Sequence, residues 1–159
     1  MIKKELEKTE FSISDDSGFL ALVNAEKYIS FIGPDWTYEE IQQRFTEQTE
    51  ANAIFIWPTR SEGFYDVTIL AKPTTKTAFR EFMGKIEVTK ECLYLTNYED
   101  LSMAAQFEDE TLPSSHNSDL IIRLPNAFYN VLVRQLNNSD AAPGEEERTT
   151  FEICLTPDS

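Results

Sequence analysis

Gly63-Phe64-Tyr65-Asp66-Val67 and Ala127-Phe128-Tyr129-Asn130-Val131 are nearly the same five residues, sixty-four positions apart. A catalytic signature is expected once. A structural element used in each of two halves is expected twice. In the first copy Tyr65, Val67 and Ile69 fall on one side of an extended chain, and Asp66 and Thr68 on the other. In the second, Tyr129, Val131 and Val133 repeat the apolar side. Alternation with period two is the mark of a half-buried strand.

Working outward, each copy closes a similar series. Phe11-Ser12-Ile13-Ser14 reads as a strand, Asp15-Asp16-Ser17-Gly18 as a turn, and Phe19 to Val23 as the return strand of a hairpin. The turn lacks the further ligands and late glutamate of a calcium loop. A polar segment leads to Ala53-Ile54-Phe55-Ile56-Trp57, then Pro58, a turn at 60–63, and the first copy. In the second half, a strand within 79–89, a turn at Lys90-Glu91 and a strand from Cys92 to Thr96 precede a polar segment. Leu120-Ile121-Ile122-Arg123-Leu124, Pro125 and the second copy follow. Halves 11–70 and 79–136 therefore share an order of parts, which suggests an internal duplication. Phe151, Ile153 and Leu155 alternate in a last strand that places Cys154 on its other face.

One helix is expected, over about 38–50. Thr37 and Glu40 have capping-box spacing, and Trp36 and Ile41 that of a hydrophobic staple. Tyr38, Ile41 and Phe45 then form one stripe. The stretch 97–117 is long, polar and acidic and reads as a loop, and 137–147 as another. The fold expected is mainly β: a two-layer antiparallel β-sandwich of eight or nine strands with one helix. Residues 1–10 read as a frayed lead-in and 11–156 as one domain, in keeping with 159 residues and 41% hydrophobic content.

The chemical inventory is thin. The one histidine, His116, sits in loop composition, and Cys92 and Cys154 are too far apart in the chain for a paired metal motif. No P-loop, nucleophile elbow or dinucleotide fingerprint is present. No cofactor, metal site or catalytic residue is expected, and the two thiols are expected to be reduced. With no signal-peptide pattern and no bilayer-length apolar run, the expected place is the cytoplasm.

Charge carries more. There are 28 acidic and 14 basic residues, a net charge of −14. Nucleic acid and anionic membrane surfaces should repel such a chain, and a basic partner should be drawn to it. No Lys or Arg lies between Lys90 and Arg123, a window holding Glu91, Glu99, Asp100, Glu108, Asp109, Glu110 and Asp119. Further clusters are Glu39, Glu40, Glu47 and Glu50, and Asp140 with Glu145, Glu146 and Glu147. Tyr94, Tyr98 and Phe107 interleave with the acids. Carboxylates beside aromatic rings suit capture of Lys and Arg.

The order of parts resembles the inhibitor family of the bacterial competence-system nuclease, which is made of small acidic proteins. The matching residues are Phe11-Ser12-Ile13-Ser14, Pro34-Asp35-Trp36-Thr37 with Glu40-Ile41, Ile86-Glu87-Val88-Thr89 with Leu93 and Leu95, Leu124-Pro125 with Tyr129, and the strand near 151–155. The longer acidic loop and extended ends depart from that pattern. The resemblance implies an inhibitor of a nuclease but assigns no inhibitory residues; with the charge it points to a non-catalytic inhibitor or immunity protein against a basic nuclease or toxin, its contacts chosen from the acidic and aromatic residues above. Candidate contact residues are Glu99, Asp100, Glu108, Asp109 and Glu110, with Tyr98 and Trp36 as anchors. The alternative is a structural or interaction domain whose acidity serves solubility.

Overall fold

A computed structural model describes residues 6–16, 18–59, 63–137 and 149–158. The first residues of the expected lead-in, most of the loop expected at 137–147 and the cluster Asp140, Glu145, Glu146 and Glu147 lie outside them, as do Ser17 and 60–62 in two expected turns.

Nine strands and two helices follow in the order β1 (Thr9–Asp15), β2 (Phe19–Val23), α1 (Tyr38–Glu50), β3 (Ile54–Pro58), β4 (Gly63–Leu70), β5 (Arg80–Val88), β6 (Cys92–Asn97), α2 (Tyr98–Gln106), β7 (Ile121–Arg123), β8 (Ala127–Gln135) and β9 (Thr149–Pro157). Sheet A has the order β1-β4-β9-β8-β5 and sheet B the order β3-β2-β6-β7. All pairings are antiparallel except β4 with β9. The expected β-sandwich is the fold found.

The inner faces meet in one core. Sheet A contributes Ile13, Tyr65, Val67, Ile69, Ile86, Tyr129, Val131, Val133 and the β9 residues Phe151, Ile153 and Leu155. Sheet B contributes Leu20, Leu22, Phe55, Trp57, Leu93, Leu95 and Ile122. The repeated tyrosines are both buried, as the alternation requires.

The expected β1–β2 hairpin is corrected. β1 lies in sheet A and β2 in sheet B. Asp15 Oδ2 accepts the Gly18 amide at 2.9 Å and the Thr59 hydroxyl at 2.8 Å, and the Thr59 amide donates to Gly18 O at 2.8 Å. These bonds fold the chain from one layer to the other, with Gly18 at φ +93°, where a side chain would be strained. Period-two patterning identifies a strand but not its neighbour. Each short connection in both halves changes sheets in the same way, including the turn at Lys90-Glu91.

The two halves correspond by position as well as by order. Either sheet read backwards, with β1–β4 exchanged for β5–β8, gives the same sequence of strands. Ile13 pairs with Tyr65, and Ile86 with Tyr129. Asn24 Nδ2 donates to Glu87 O at 2.8 Å, and Asn97 Nδ2 donates to Ser14 O at 2.8 Å. Their side-chain oxygens accept from Lys27 N at 3.1 Å and Asp100 N at 3.0 Å. Asn24, Lys27 and Ser14 each lie seventy-three positions from Asn97, Asp100 and Glu87 respectively. Each half is thus bonded to the other by a buried asparagine. β9 has no counterpart and lies between β4 and β8.

A second core joins the outer face of sheet B to a helical layer. Ala21, Val23 and Ile54 meet Ile41 and Phe45 of α1 and Leu101 and Ala105 of α2. β2 is buried on both faces, which explains its unbroken apolar run Phe19-Leu20-Ala21-Leu22-Val23. α1 has the expected bounds and the full capping box: Glu40 N donates to Thr37 Oγ1 at 3.2 Å, and Thr37 N to Glu40 Oε1 at 3.0 Å. α2 is a second helix, within the stretch read as a loop.

Candidate protein-interaction face

The helical layer carries most of the candidate residues. α2 begins at Asn97, whose side chain caps it, with Glu99 and Asp100 in its first turn, where the helix dipole favours carboxylates. Both acids have internal bonds. Glu99 Oε1 accepts the Asp16 amide at 2.7 Å. Asp100 Oδ2 accepts from Ser114 Oγ at 2.7 Å and Asn117 Nδ2 at 2.6 Å, tying the following loop to the start of the helix.

Tyr98 is half-buried and packs edge-on against Phe19 at 5.1 Å, and Phe19 packs likewise on Phe45 at 5.5 Å. Burial raises its phenol above the ordinary value, and Tyr38 and Glu99 add to the shift. Trp36 is half-buried against the same core, next to the α1 cap. Glu108, Asp109 and Glu110 are exposed directly beyond the α2 C-terminus. The structure thus places the seven candidates in one layer but in two settings: Glu99, Asp100, Tyr98 and Trp36 are tied into the fold, and the 108–110 carboxylates face outward.

Further residues join them. The irregular segment 29–33 bridges α1 and α2 in space. Arg44 Nη1 donates to Ile29 O at 2.8 Å and Phe31 O at 2.9 Å. At the other side Ile32 N and Gly33 N donate to Ala105 O at 2.8 and 3.0 Å. Ile29 is 61% exposed, Phe31 38%, Tyr38 68%, Met103 44% and Phe107 40%. Met103 lies in the last turn of α2, and Phe107, its C-cap, donates its amide to Met103 O at 3.0 Å. Along α1 a groove of about 320 Å³ is lined by Ile32, Thr37, Glu39, Glu40, Gln43, Arg44 and Glu47. The sequence signals for these residues were weak: Ile29 and Phe31 lie outside any periodic run, and the Met103–Phe107 spacing has meaning only once α2 is a helix.

The opposite layer is chemically different. On the outer face of sheet A, Arg134 Nη1 donates to Glu152 Oε1 at 2.7 Å and its Nε to Glu81 Oε2 at 3.0 Å. Thr74 donates to Glu152 through its amide and hydroxyl, at 3.1 and 2.6 Å. The pair pins the 71–79 connector over the sheet. Cys92 and Cys154 are both free thiols; burial pushes that of Cys154 up to about 11, with Glu152 adding to the rise. No helix among the described residues is long and apolar enough to cross a membrane.

The fold has counterparts among solved structures. The chain is similar in fold to ComJ. That structure, described as ComJ, inhibitor of the DNA degrading activity of NucA, from Bacillus subtilis, superposes with a TM-score of 0.52 at 12% identity, over 99% of this chain and 100% of that one. The protein described as crocagin biosynthetic gene J superposes with a TM-score of 0.61 at 14% identity, over 96% of this chain and 98% of that one. No protein-family model and no curated protein matches the sequence. At such identities the likeness to ComJ is one of fold, and fold alone does not carry function.

Proposed function

We propose that this protein is an acidic, non-catalytic binding protein that inhibits a basic protein partner, a nuclease or toxin. The observation that carries the proposal is the position of the Glu108, Asp109 and Glu110 carboxylates. They are exposed beyond the C-terminus of α2, where the helix dipole opposes negative charge. Glu99 and Asp100 at the start of α2 are the further contact carboxylates of this reading, with Tyr98 and Trp36 as anchors. Likeness in fold to ComJ, described as an inhibitor of a nuclease's DNA degrading activity, agrees with this reading. In the proposed mechanism the carboxylates occupy the groove that otherwise holds phosphates, and charge complementarity speeds association.

The alternative is an interaction domain whose acidity serves solubility. It is favoured by the internal use of Glu40, Glu99 and Asp100 in caps and turns.

A pull-down from native cell extract, washed at low and then high salt, separates the two. Release of one basic nuclease or toxin by salt supports inhibition, and its activity should fall on adding the protein back. Replacing Glu108, Asp109 and Glu110 by Gln should weaken binding about tenfold or more while leaving the fold intact. Loss of no basic protein at high salt would leave the solubility reading.

A further inference from the structure

We infer that the docking site is the outer surface of the helical layer, and that its occupant is a cationic, partly apolar segment of a protein. This rests on the proposed function and deepens it, because it names which face binds and what chemistry it takes. The sequence alone pointed to a surface of carboxylates. The structure adds an apolar centre: Ile29 and Phe31 on the segment clasped between Arg44 and Ala105, Tyr38 at the start of α1, and Met103 with Phe107 at the end of α2. All five are exposed and belong to the segments that those bonds tie together, and exposed large apolar side chains gathered in one layer of a monomer mark an interaction surface.

The charge around this centre selects the occupant. Glu39 and Glu47 line the groove beside Ile32. Glu108, Asp109 and Glu110 are exposed and directly follow Phe107 in the chain. In the elements that build the face, 29–50 and 98–119, the only Lys or Arg is Arg44. Its guanidinium is turned to the Ile29 and Phe31 carbonyls. An acidic peptide or a nucleic acid would meet uncompensated like charge here. A segment bearing aliphatic or aromatic side chains between Lys and Arg satisfies both the centre and the rim, with cation–π contact at Tyr38 and Phe107. The apolar centre is where binding energy should concentrate, and the carboxylate rim should govern rate and salt dependence.

The test uses the full chain and two synthetic peptides of equal charge, a helix-forming Lys/Leu peptide and its Lys/Ser counterpart, titrated at physiological salt. The Lys/Leu peptide should bind the wild type about tenfold more tightly than the Lys/Ser peptide. Phe31→Ser with Phe107→Ser should remove about tenfold of that affinity. Glu39→Gln with Glu47→Gln should flatten its salt dependence. Met83→Ser, 80% exposed on sheet A, should change nothing. Thermal unfolding confirms each fold. Should the Phe31/Phe107 variant unfold, Met103→Gln replaces it, since that side chain is exposed. Equal binding of both peptides, or an apolar variant that binds as the wild type, overturns the site. The Phe31/Phe107 variant also enters the salt-washed pull-down. A basic partner retained by it would leave the inhibitor reading standing and overturn this face. With no basic partner captured by the wild type, the inhibitor reading falls, and the peptide titration still decides the face.

Discussion

Gly84 lies in the middle of β5, where a side chain would ordinarily stabilise a strand. A Cβ built there would run into the ring of Phe55 on β3. The bare backbone lets the aromatic ring close that side of the sandwich between the two sheets. Gly84→Ala should therefore destabilise by about 1–3 kcal/mol through overpacking, read as a lower midpoint in urea with an unchanged slope. A variant as stable as the wild type would mean that Phe55 moves aside freely. Arg134 and Glu152 make a second single-residue test. They are 8% and 2% exposed. Burial alone would raise the Glu152 carboxyl, but the hydrogen bonds from Thr74 and Arg134 outweigh it and hold the carboxyl below its ordinary value. The hydrogen bonds that the Arg134 guanidinium donates to Glu152 and Glu81 hold it protonated. A carboxyl lowered in the folded state adds stability above its unfolded pKa and loses it as pH falls through that value and below. Arg134→Met should cost about 3–5 kcal/mol at neutral pH, since it strands a buried carboxylate. That loss should shrink as pH drops below the ordinary carboxylate range. Arg134→Met with Glu152→Met should be more stable than Arg134→Met alone. If the double variant is the less stable, the pair contributes net attraction beyond the cost of burying it.

At the scale of elements, Asn24 and Asn97 do more than their loops require. Asn97 caps α2 through Asp100 N and also bonds Ser14 O in the other half; Asn24 holds Lys27 N and Glu87 O in the same manner. Losing a cap costs about 0.5–2 kcal/mol, and an unsatisfied buried carbonyl about 1–3 kcal/mol. Asn97→Ala should lower stability by about 1.5–5 kcal/mol, the sum of both terms, and Asn24→Ala, which caps no helix, by about 1–3 kcal/mol, measured in urea. If only Asn97→Ala is harmful, the asparagines cap but do not join the halves. Neither was legible in the sequence, because a single Asn among polar residues has no periodicity. What was legible followed from alternation and caps. Tyr65, Val67 and Ile69 had to share a face, and Thr37 with Glu40 set the start of α1. α2 was missed although Asn97, Glu99 and Asp100 are start signals and Leu101, Ala104 and Ala105 have helical spacing. Its nine residues are short, and the acids beyond it made the whole stretch resemble a solvated loop. The change of sheet between β1 and β2 depends on Thr59, forty-four residues from Asp15, and no local pattern reports a bond of that range. The candidate site was half legible for the same reason. The acids stood out by count, but Phe31 and Met103 became surface residues only when α2 and the 29–33 segment had places.

For the whole molecule the question is whether the acidity has a use or only keeps the chain soluble. A net charge of −14 works against compactness, and at low ionic strength the repulsion reaches across a small protein, with a Debye length of about 30 Å at 0.01 M. Neutralising a carboxylate should then be favourable wherever it has no internal partner. Among the described residues Glu108, Asp109 and Glu110 are such a place: they are exposed, just past the last carbonyls of α2, and that helix has no basic residue in its last turn. Each charge near a helix C-terminus costs about 0.3–1 kcal/mol at low salt. Replacing all three by Gln should raise the melting temperature at low salt, by about 2–4 °C for each kcal/mol in a domain of this size. The gain should fade as salt rises toward physiological strength. The same variant should bind the salt-released partner more weakly. A rise in stability with a fall in binding identifies carboxylates retained at a cost to the fold because they contact something. A rise in stability with binding unchanged assigns these three charges to solubility. No rise at low salt would mean that the groups are already neutralised by their surroundings, and the electrostatic account of this surface would fail at its first step.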